Sequence, residues 1–189
     1  MGPRLIIFCL AIVMRSLAGY IPLDFLPDAM VKEHEIFPTK AGSVISLIGI
    51  ASIAGPLLSG LTTNYLKNTV AFFFSLCMML TGICCVGMAF STLYWHFVIC
   101  IFFYGLFLRE IIVLIPLLLV DMFGTDSLKF SYGVTMFCSG IATLIGPPII
   151  GWLKTLGYSY DSVFIIAGGI FVIGGFFALI LLCLNKREN

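Results

Sequence analysis

The stretch FYGLFLREIIVLIPLLLV, residues 103–120, decides the fold class. All but two of its residues suit a hydrocarbon environment, and it belongs to a longer apolar segment that covers residues 93–120. A helix needs about 20 apolar residues to cross a hydrocarbon core about 30 Å thick. The segment therefore predicts a membrane-spanning helix that carries two charged residues, Arg109 and Glu110, near its middle.

Five further segments have the length and the apolar composition of a membrane span. They cover residues 5–26, 41–61, 70–90, 132–153 and 163–184, with short polar connectors between them. The first apolar run continues past Gly19 without a small-residue cleavage site, which favours a retained helix over a signal peptide. The prediction is an all-α membrane protein with six transmembrane helices, which form a single transmembrane domain over residues 1–189.

Small residues within two of these spans predict close helix packing. LIGIASIAGPLLSG (residues 47–60) and AGGIFVIGG (residues 167–175) place Gly, Ser or Ala at one-turn spacings. Small side chains at such spacings allow the backbones of neighbouring helices to approach each other closely.

The overall composition excludes several classes of protein. Hydrophobic residues make up 61% of the chain and charged residues 10%, with a mean hydropathy of +1.16, whereas a soluble domain has roughly 25% charged residues. The net charge of +1 and the lack of a Lys/Arg cluster argue against nucleic-acid binding. The sequence contains no Ser/His/Asp constellation, metal motif or phosphate-binding loop, so we expect no enzymatic activity, no cofactor and no metal site. The seven cysteines lie in apolar runs without a CxxC pair, as packing thiols do.

The positive charges between the spans predict the orientation in the bilayer. An even number of spans places both termini on one side of the membrane. That side would carry Arg4, Lys67, Lys129, Lys186 and Arg187, and the other side would carry Lys32, Lys40 and Lys154. Since cytoplasmic segments carry an excess of Lys and Arg, the five-to-three distribution predicts that both termini are cytoplasmic.

Arg109 and Glu110 require partners on other helices. They lie eleven and ten residues before Val120, so they are about 15 Å from that end of the helix and near the midplane. Charged residues at this depth are costly and usually face the protein interior or a water-filled cavity. Adjacent residues point about 100° apart on a helix, so these two side chains are poorly placed to pair with each other.

Arg15 is the expected partner of Glu110. It lies ten residues into the first span, at about the same depth. An Arg15–Glu110 pair would leave Arg109 as a cavity-facing cation, and a guanidinium can bind a carboxylate through two hydrogen bonds. Two alternatives stay open: a salt bridge that only fixes helix packing, and one charge that reaches to the membrane interface.

Several phrases of the sequence carry a family resemblance. They are AGSVISLIGIASIAGPLLSGL (residues 41–61), LLLVDMFG (117–124), GIATLIGPPIIGWL (140–153) and YSYDSVFIIAGG (158–169). With these phrases in order along its length, the chain resembles the C-terminal six-helix half of the monocarboxylate transporter family, within the major facilitator superfamily. The resemblance implies helices seven to twelve of a twelve-helix transporter of the plasma membrane, with a small organic anion as substrate. A related solute in place of an organic anion stays open. The resemblance also implies a cytoplasmic N-terminus for this half, in agreement with the charge distribution.

The resemblance covers only one half of a facilitator, and the two halves face each other across a midplane substrate site. The chain is therefore expected to work with an N-terminal six-helix half or a full-length relative. Truncated gene product, splice form, fragment and pairing half-transporter all stay open. The alternative function is a transport-inactive half that acts as a membrane interaction protein, and an unrelated six-helix scaffold is a third possibility.

A second departure concerns proton coupling. In the proton-coupled members of this family, the eighth helix carries an Asp and, one turn later, an Arg, which are taken to bind the proton and the carboxylate. Ser52 and Pro56 occupy those places here. The resemblance therefore does not imply lactate–proton symport through this helix, and it leaves open whether transport is coupled to protons.

Overall fold

The structure is a computed structural model that describes the backbone of residues 2–65 and 70–186 and the side chains of residues 4–57, 59, 60 and 70–180. The described residues form helices and no strand. The helices are α1 (Gly2–Gly19), α2 (Ile21–Lys32), α3 (Pro38–Tyr65), α4 (Val70–Ala89), α5 (Tyr94–Phe123), α6 (Leu128–Thr155) and α7 (Tyr160–Lys186).

Six segments are long and apolar enough to cross a membrane. They are Arg4–Lys32, Pro38–Leu57, Val70–Ala89, Tyr94–Phe123, Leu128–Thr155 and Tyr160–Ile180. Each contains or largely overlaps one of the six predicted spans, so the all-α membrane fold is confirmed and the chain is an integral membrane protein.

The first span is broken, which the apolar pattern did not predict. α1 ends at Gly19 and α2 begins at Ile21, so two helices share one passage through the membrane. Pro22 lies in the first turn of α2, where its missing N–H cannot continue the hydrogen-bond ladder of α1. At the break itself, the carbonyl of Gly19 accepts a hydrogen bond of 2.7 Å from the buried hydroxyl of Tyr104 on α5. The break is therefore stabilised by a neighbouring helix, as helix breaks within membranes generally are.

Glycines allow the helix backbones at the centre of the bundle to pack closely. α4 packs against α5 and α7, α1 packs against α6 and α7, and α3 packs against α5. At the crossing of α4 and α7, a Cβ on Gly82 would lie 2.8 Å from the carbonyl oxygen of Gly168, and a Cβ on Gly168 would lie 2.7 Å from that of Gly82. Elsewhere along the same two helices, the Ser75 hydroxyl of α4 donates a 2.6 Å hydrogen bond to the Gly175 carbonyl of α7. The small-residue pattern of the last span thus marks a true backbone contact.

Three lysines that the sequence assigned to one side of the membrane lie at the same end of the bundle. Lys154 is 3.6 Å from Glu33 and lies over the ring of Tyr160, 3.1 Å from its centroid. Lys32, in the last turn of α2, and Lys40, at the start of α3, flank the same connector. Lys67 and Arg187, which count toward the other side, lie outside the described residues, as does the side chain of Lys186.

The α4–α7 contact predicts opposite effects for two adjacent glycines. A Cβ at Gly168 would lie 2.5 Å from Val86 Cγ2, whereas a Cβ at Gly169 meets nothing within 4 Å. We expect Gly168→Ala to lower the free energy of unfolding by about 1–3 kcal/mol through overpacking. Gly169→Ala, the matched control, should be neutral or stabilising by up to about 1 kcal/mol because alanine favours the helix. Thermal unfolding in detergent compares the two variants, and equal melting temperatures would contradict the contact.

Candidate anion-binding site

Arg109 lies on the exposed face of α5 and is held by one hydrogen bond. Its Nε donates to the Ser52 hydroxyl on α3 over 3.2 Å. That hydroxyl donates its own hydrogen to the Ile48 carbonyl over 2.6 Å, so its oxygen is free to accept from Arg109. Nε is engaged and the residue is exposed, so the two terminal amino groups remain available to a carboxylate, which a guanidinium can bind through two hydrogen bonds.

Backbone contact between α3 and α5 places Arg109 opposite Ser52. A Cβ on Gly55 would lie 2.7 Å from the Leu106 carbonyl oxygen and 3.4 Å from Arg109 Cβ, so only glycine fits there without a shift. Ser52 and Pro56 are the positions where the family resemblance expects an Asp and an Arg. A cation therefore does lie beside Ser52, but it is Arg109 of α5 and not a residue of α3.

Arg15 is the second cation of this region and lies on α1. Its side chain is 6% exposed, and its Nε has no hydrogen-bond partner. Tyr20, Tyr104 and Arg109 lie within its electrostatic range. Two guanidinium groups from different spans thus approach each other, and no described carboxylate forms an ion pair with either. This arrangement leaves positive charge uncompensated inside the membrane domain.

The predicted ion pair between Arg15 and Glu110 is wrong for this structure, because neither residue contacts a charged partner in the described part of the chain. The reason is the rotation of α5. Its side toward α1 carries Tyr104, which bonds to Gly19, and Leu108, which lies near the same glycine. Glu110 follows Leu108 by two residues and so points about 200° away around the helix.

Glu110 lies instead on the α4 side of α5. The side chain is 2% exposed, and its Oε1 is buried without a hydrogen-bond partner. Cys77 on α4, itself 1% exposed, is within electrostatic range. The structure thus places Arg15 and Arg109 within electrostatic range of each other, and Glu110 forms an ion pair with neither, although sequence spacing puts all three at a similar depth.

A second polar cluster lies at the connector end of the bundle and was missed in the sequence. Ligand-type atoms of Glu33, His34 and Asp161 lie within 4.8 Å of one another. Glu33 Oε1 already accepts a 3.0 Å hydrogen bond from the Tyr160 N–H and is 3.6 Å from Lys154. The cluster therefore serves to join the end of α2 to the start of α7. Because Glu33 and its partner Tyr160 are 127 residues apart, no local pattern could have revealed this junction.

The family model of the Major Facilitator Superfamily matches residues 5–189. The chain belongs to this superfamily. Six spans, a glycine-packed core and intramembrane charges that face neighbouring helices agree with that membership.

Several monocarboxylate transporters are similar to this chain. Monocarboxylate transporter 9 of Mus musculus is 26% identical over 171 residues, which is 90% of this chain and 34% of the relative. Monocarboxylate transporter 12 of Xenopus laevis is 30% identical over 152 residues, 79% of this chain and 32% of the relative. Monocarboxylate transporter 14 of Homo sapiens is 36% identical over 76 residues, 40% of this chain and 15% of the relative. The chain spans about a third of the length of the first two.

The separation of Arg15 from Glu110 predicts additive effects of mutation. Residues without a shared partner usually change stability independently, within about 0.5 kcal/mol, whereas contacting pairs deviate by about 0.5–3 kcal/mol. We expect the unfolding free-energy changes of Arg15→Gln and Glu110→Gln to add in the double variant, as measured by thermal or denaturant unfolding in detergent. Recovery of stability in the double variant would show that Arg15 and Glu110 do form an ion pair in the native protein, and it would contradict this geometry.

Proposed function

We propose that the chain is part of a secondary transporter that moves a small organic anion across the plasma membrane, without catalysis. The observation that carries the proposal is that Arg15 on α1 and Arg109 on α5 lie within electrostatic range of each other, with no described carboxylate paired to either. A buried cation such as Arg15 is costly without a counter-charge, and no described carboxylate forms an ion pair with it. A substrate carboxylate that enters from the exposed side of Arg109 would supply this counter-charge.

The hydrogen-bond donors of the two arginines favour a carboxylate as the substrate. Arg109 presents its terminal amino groups while Ser52 holds its Nε, and Arg15 retains an unpartnered Nε in a buried place. Guanidinium groups bind planar carboxylates through paired hydrogen bonds. The relatives are named monocarboxylate transporters, which supports a monocarboxylate rather than a phosphate. Arg109 and Arg15 would contact the substrate, and Glu110 would act from the far side of α5.

A second six-helix bundle is the partner that this proposal requires. α3 and α6 are the least buried of the six spans, and α6 exposes Phe137, Ile141 and Leu144 along its length. Facilitator halves enclose their substrate between them. We place the partner, either an N-terminal six-helix half or a full-length relative, against α3 and α6, beside the Ser52–Arg109 contact. The alternative, a transport-inactive half that only binds other membrane proteins, would use the same surface.

Uptake measurements separate transport from the inactive alternative. We expect cells that express the 189-residue chain alone to show no saturable uptake of radiolabelled lactate or pyruvate, because one wall of the site is lacking. Co-expression with the first six helices of a monocarboxylate transporter relative should produce saturable uptake. In that pair, Arg109→Gln should raise the KM by roughly tenfold or more, since a hydrogen bond to a charged group is worth about 1.5–3 kcal/mol.

Lys129→Gln is the matched control, because Lys129 is an exposed cation at the start of α6. It should leave both KM and surface expression unchanged. Co-purification of the two halves without any uptake would favour the membrane interaction protein, and normal uptake by Arg109→Gln would remove Arg109 from the site.

We also propose that both termini are cytoplasmic. The connector between α2 and α3, with Lys32 and Lys40 beside it, would then be extracellular, and the α5–α6 connector at residues 124–127 would face the cytoplasm. A glycosylation acceptor on a flexible Gly/Ser insertion should be modified in cells at the first connector and unmodified at the second. The reverse pattern would invert the topology.

A further inference from the structure

Three side chains that can ligate a metal ion meet at the connector end of the bundle, outside the anion site. They are Glu33 at the end of α2, His34 in the connector that follows, and Asp161 in the first turn of α7. One ligand-type atom from each side chain lies within 4.8 Å of those from the other two. An imidazole and two carboxylates from separate parts of the sequence are therefore brought together by the fold.

The ligand atoms of His34 and Asp161 are available. The His34 ring packs edge-on against the Phe97 ring, with the centroids 5.0 Å apart, and its nitrogens form no hydrogen bond with a described residue. The Asp161 carboxylate likewise forms neither a hydrogen bond nor an ion pair within the described part of the chain. Both residues are partly exposed, so an ion from solution can reach them.

Glu33 is held in place by a backbone group. Its Oε1 accepts a 3.0 Å hydrogen bond from the N–H of Tyr160, the residue before Asp161. Its Oε2 has no hydrogen-bond partner among the described residues and can serve as a ligand atom. Hydrogen bonds of this kind orient the ligands of metal sites. Lys154 is kept to one side, because its ammonium group lies over the Tyr160 ring, 3.1 Å from the centroid.

The charge of the cluster favours a further cation. Glu33 and Asp161 bring two carboxylates together, and Lys154, 3.6 Å from Glu33 Oε1, supplies one positive charge. Lys32 is already paired with Asp28 at 2.7 Å. With a neutral imidazole, the cluster keeps one negative charge in excess, and a divalent cation would remove the repulsion between the two carboxylates.

We propose that Glu33, His34 and Asp161 form a Zn²⁺-binding site. Zinc accepts imidazole nitrogen and carboxylate oxygen at about 2.0–2.2 Å, and an open site has three protein ligands and a water molecule. Tetrahedral ligands at that distance are about 3.4 Å apart, so small side-chain rotations would close the cluster around the ion. Calcium and magnesium prefer oxygen ligands alone, which disfavours them here. The bound zinc would fasten α2, the second helix of the broken first span, to the start of α7.

Thermal unfolding in detergent with and without Zn²⁺ tests the site. We expect Zn²⁺ to raise the melting temperature of the native chain, because an ion that binds only the folded state stabilises it. His34→Phe keeps an aromatic ring against Phe97 but has no ligand nitrogen, so it should lose this shift. His96→Phe is the matched control, because His96 is the other histidine of the chain and is exposed at the start of α5. It should retain the shift. Equal shifts in the native chain and in His34→Phe would overturn the proposal.

Cobalt spectroscopy separates this site from metal bound by the seven cysteines. Co²⁺ held by an imidazole and two carboxylates gives weak visible bands, whereas thiolate ligands add an intense charge-transfer band in the near ultraviolet. We expect the visible bands without the charge-transfer band. Asp161→Asn should weaken Co²⁺ binding by about tenfold or more, and Glu35→Gln, which changes an exposed acid of the same connector, should leave it unchanged.

The cobalt spectrum of the native chain decides even if His34→Phe or Asp161→Asn does not fold. Visible bands without thiolate ligation support the site. Absence of Co²⁺ binding, or a spectrum dominated by the thiolate charge-transfer band, overturns it.

Discussion

The backbone contact between α4 and α7 is the constraint on which the rest of the bundle depends. In a membrane, apolar side chains gain little by leaving lipid for protein, so helices associate through close packing and polar contacts. Gly82 and Gly168 allow each backbone to reach the carbonyl of the other, and Ser75 adds a hydrogen bond to Gly175 nearby. Because α4 also packs against α5, and α7 against α1, this crossing positions the two helices that carry the arginines.

A second close approach determines how the charges are distributed. Gly55 brings α3 so near to α5 that Arg109 lies beside Ser52 and Glu110 is turned toward α4. The two adjacent residues therefore occupy different environments. Arg109 is exposed and hydrogen-bonded to Ser52, whereas Glu110 is buried and its Oε1 has no hydrogen-bond partner. The rotation of one helix separates Arg109, the candidate anion-binding group, from Glu110, a buried acid.

The break between α1 and α2 shows how local and tertiary effects combine. Pro22 prevents a continuous helix, but the proline alone does not make the break tolerable within a membrane. The buried Tyr104 hydroxyl on α5 donates a hydrogen bond to the Gly19 carbonyl at the break and so joins α5 to the end of α1. Arg15, four residues before Gly19, thereby lies beside a tyrosine instead of the acid that depth alone suggested.

The sequence by itself determined the six spans, their approximate bounds, the family resemblance and the depth of Arg15, Arg109 and Glu110, because apolar run length and rise per residue are local properties. It also identified the small-residue spacings that become helix contacts. Which side of a helix faces which neighbour was decided only by the tertiary structure. Depth gives a residue's height in the bilayer but not its direction, and a difference of two positions along α5 turned Glu110 away from Arg15 and left Ser52 as the contact of Arg109.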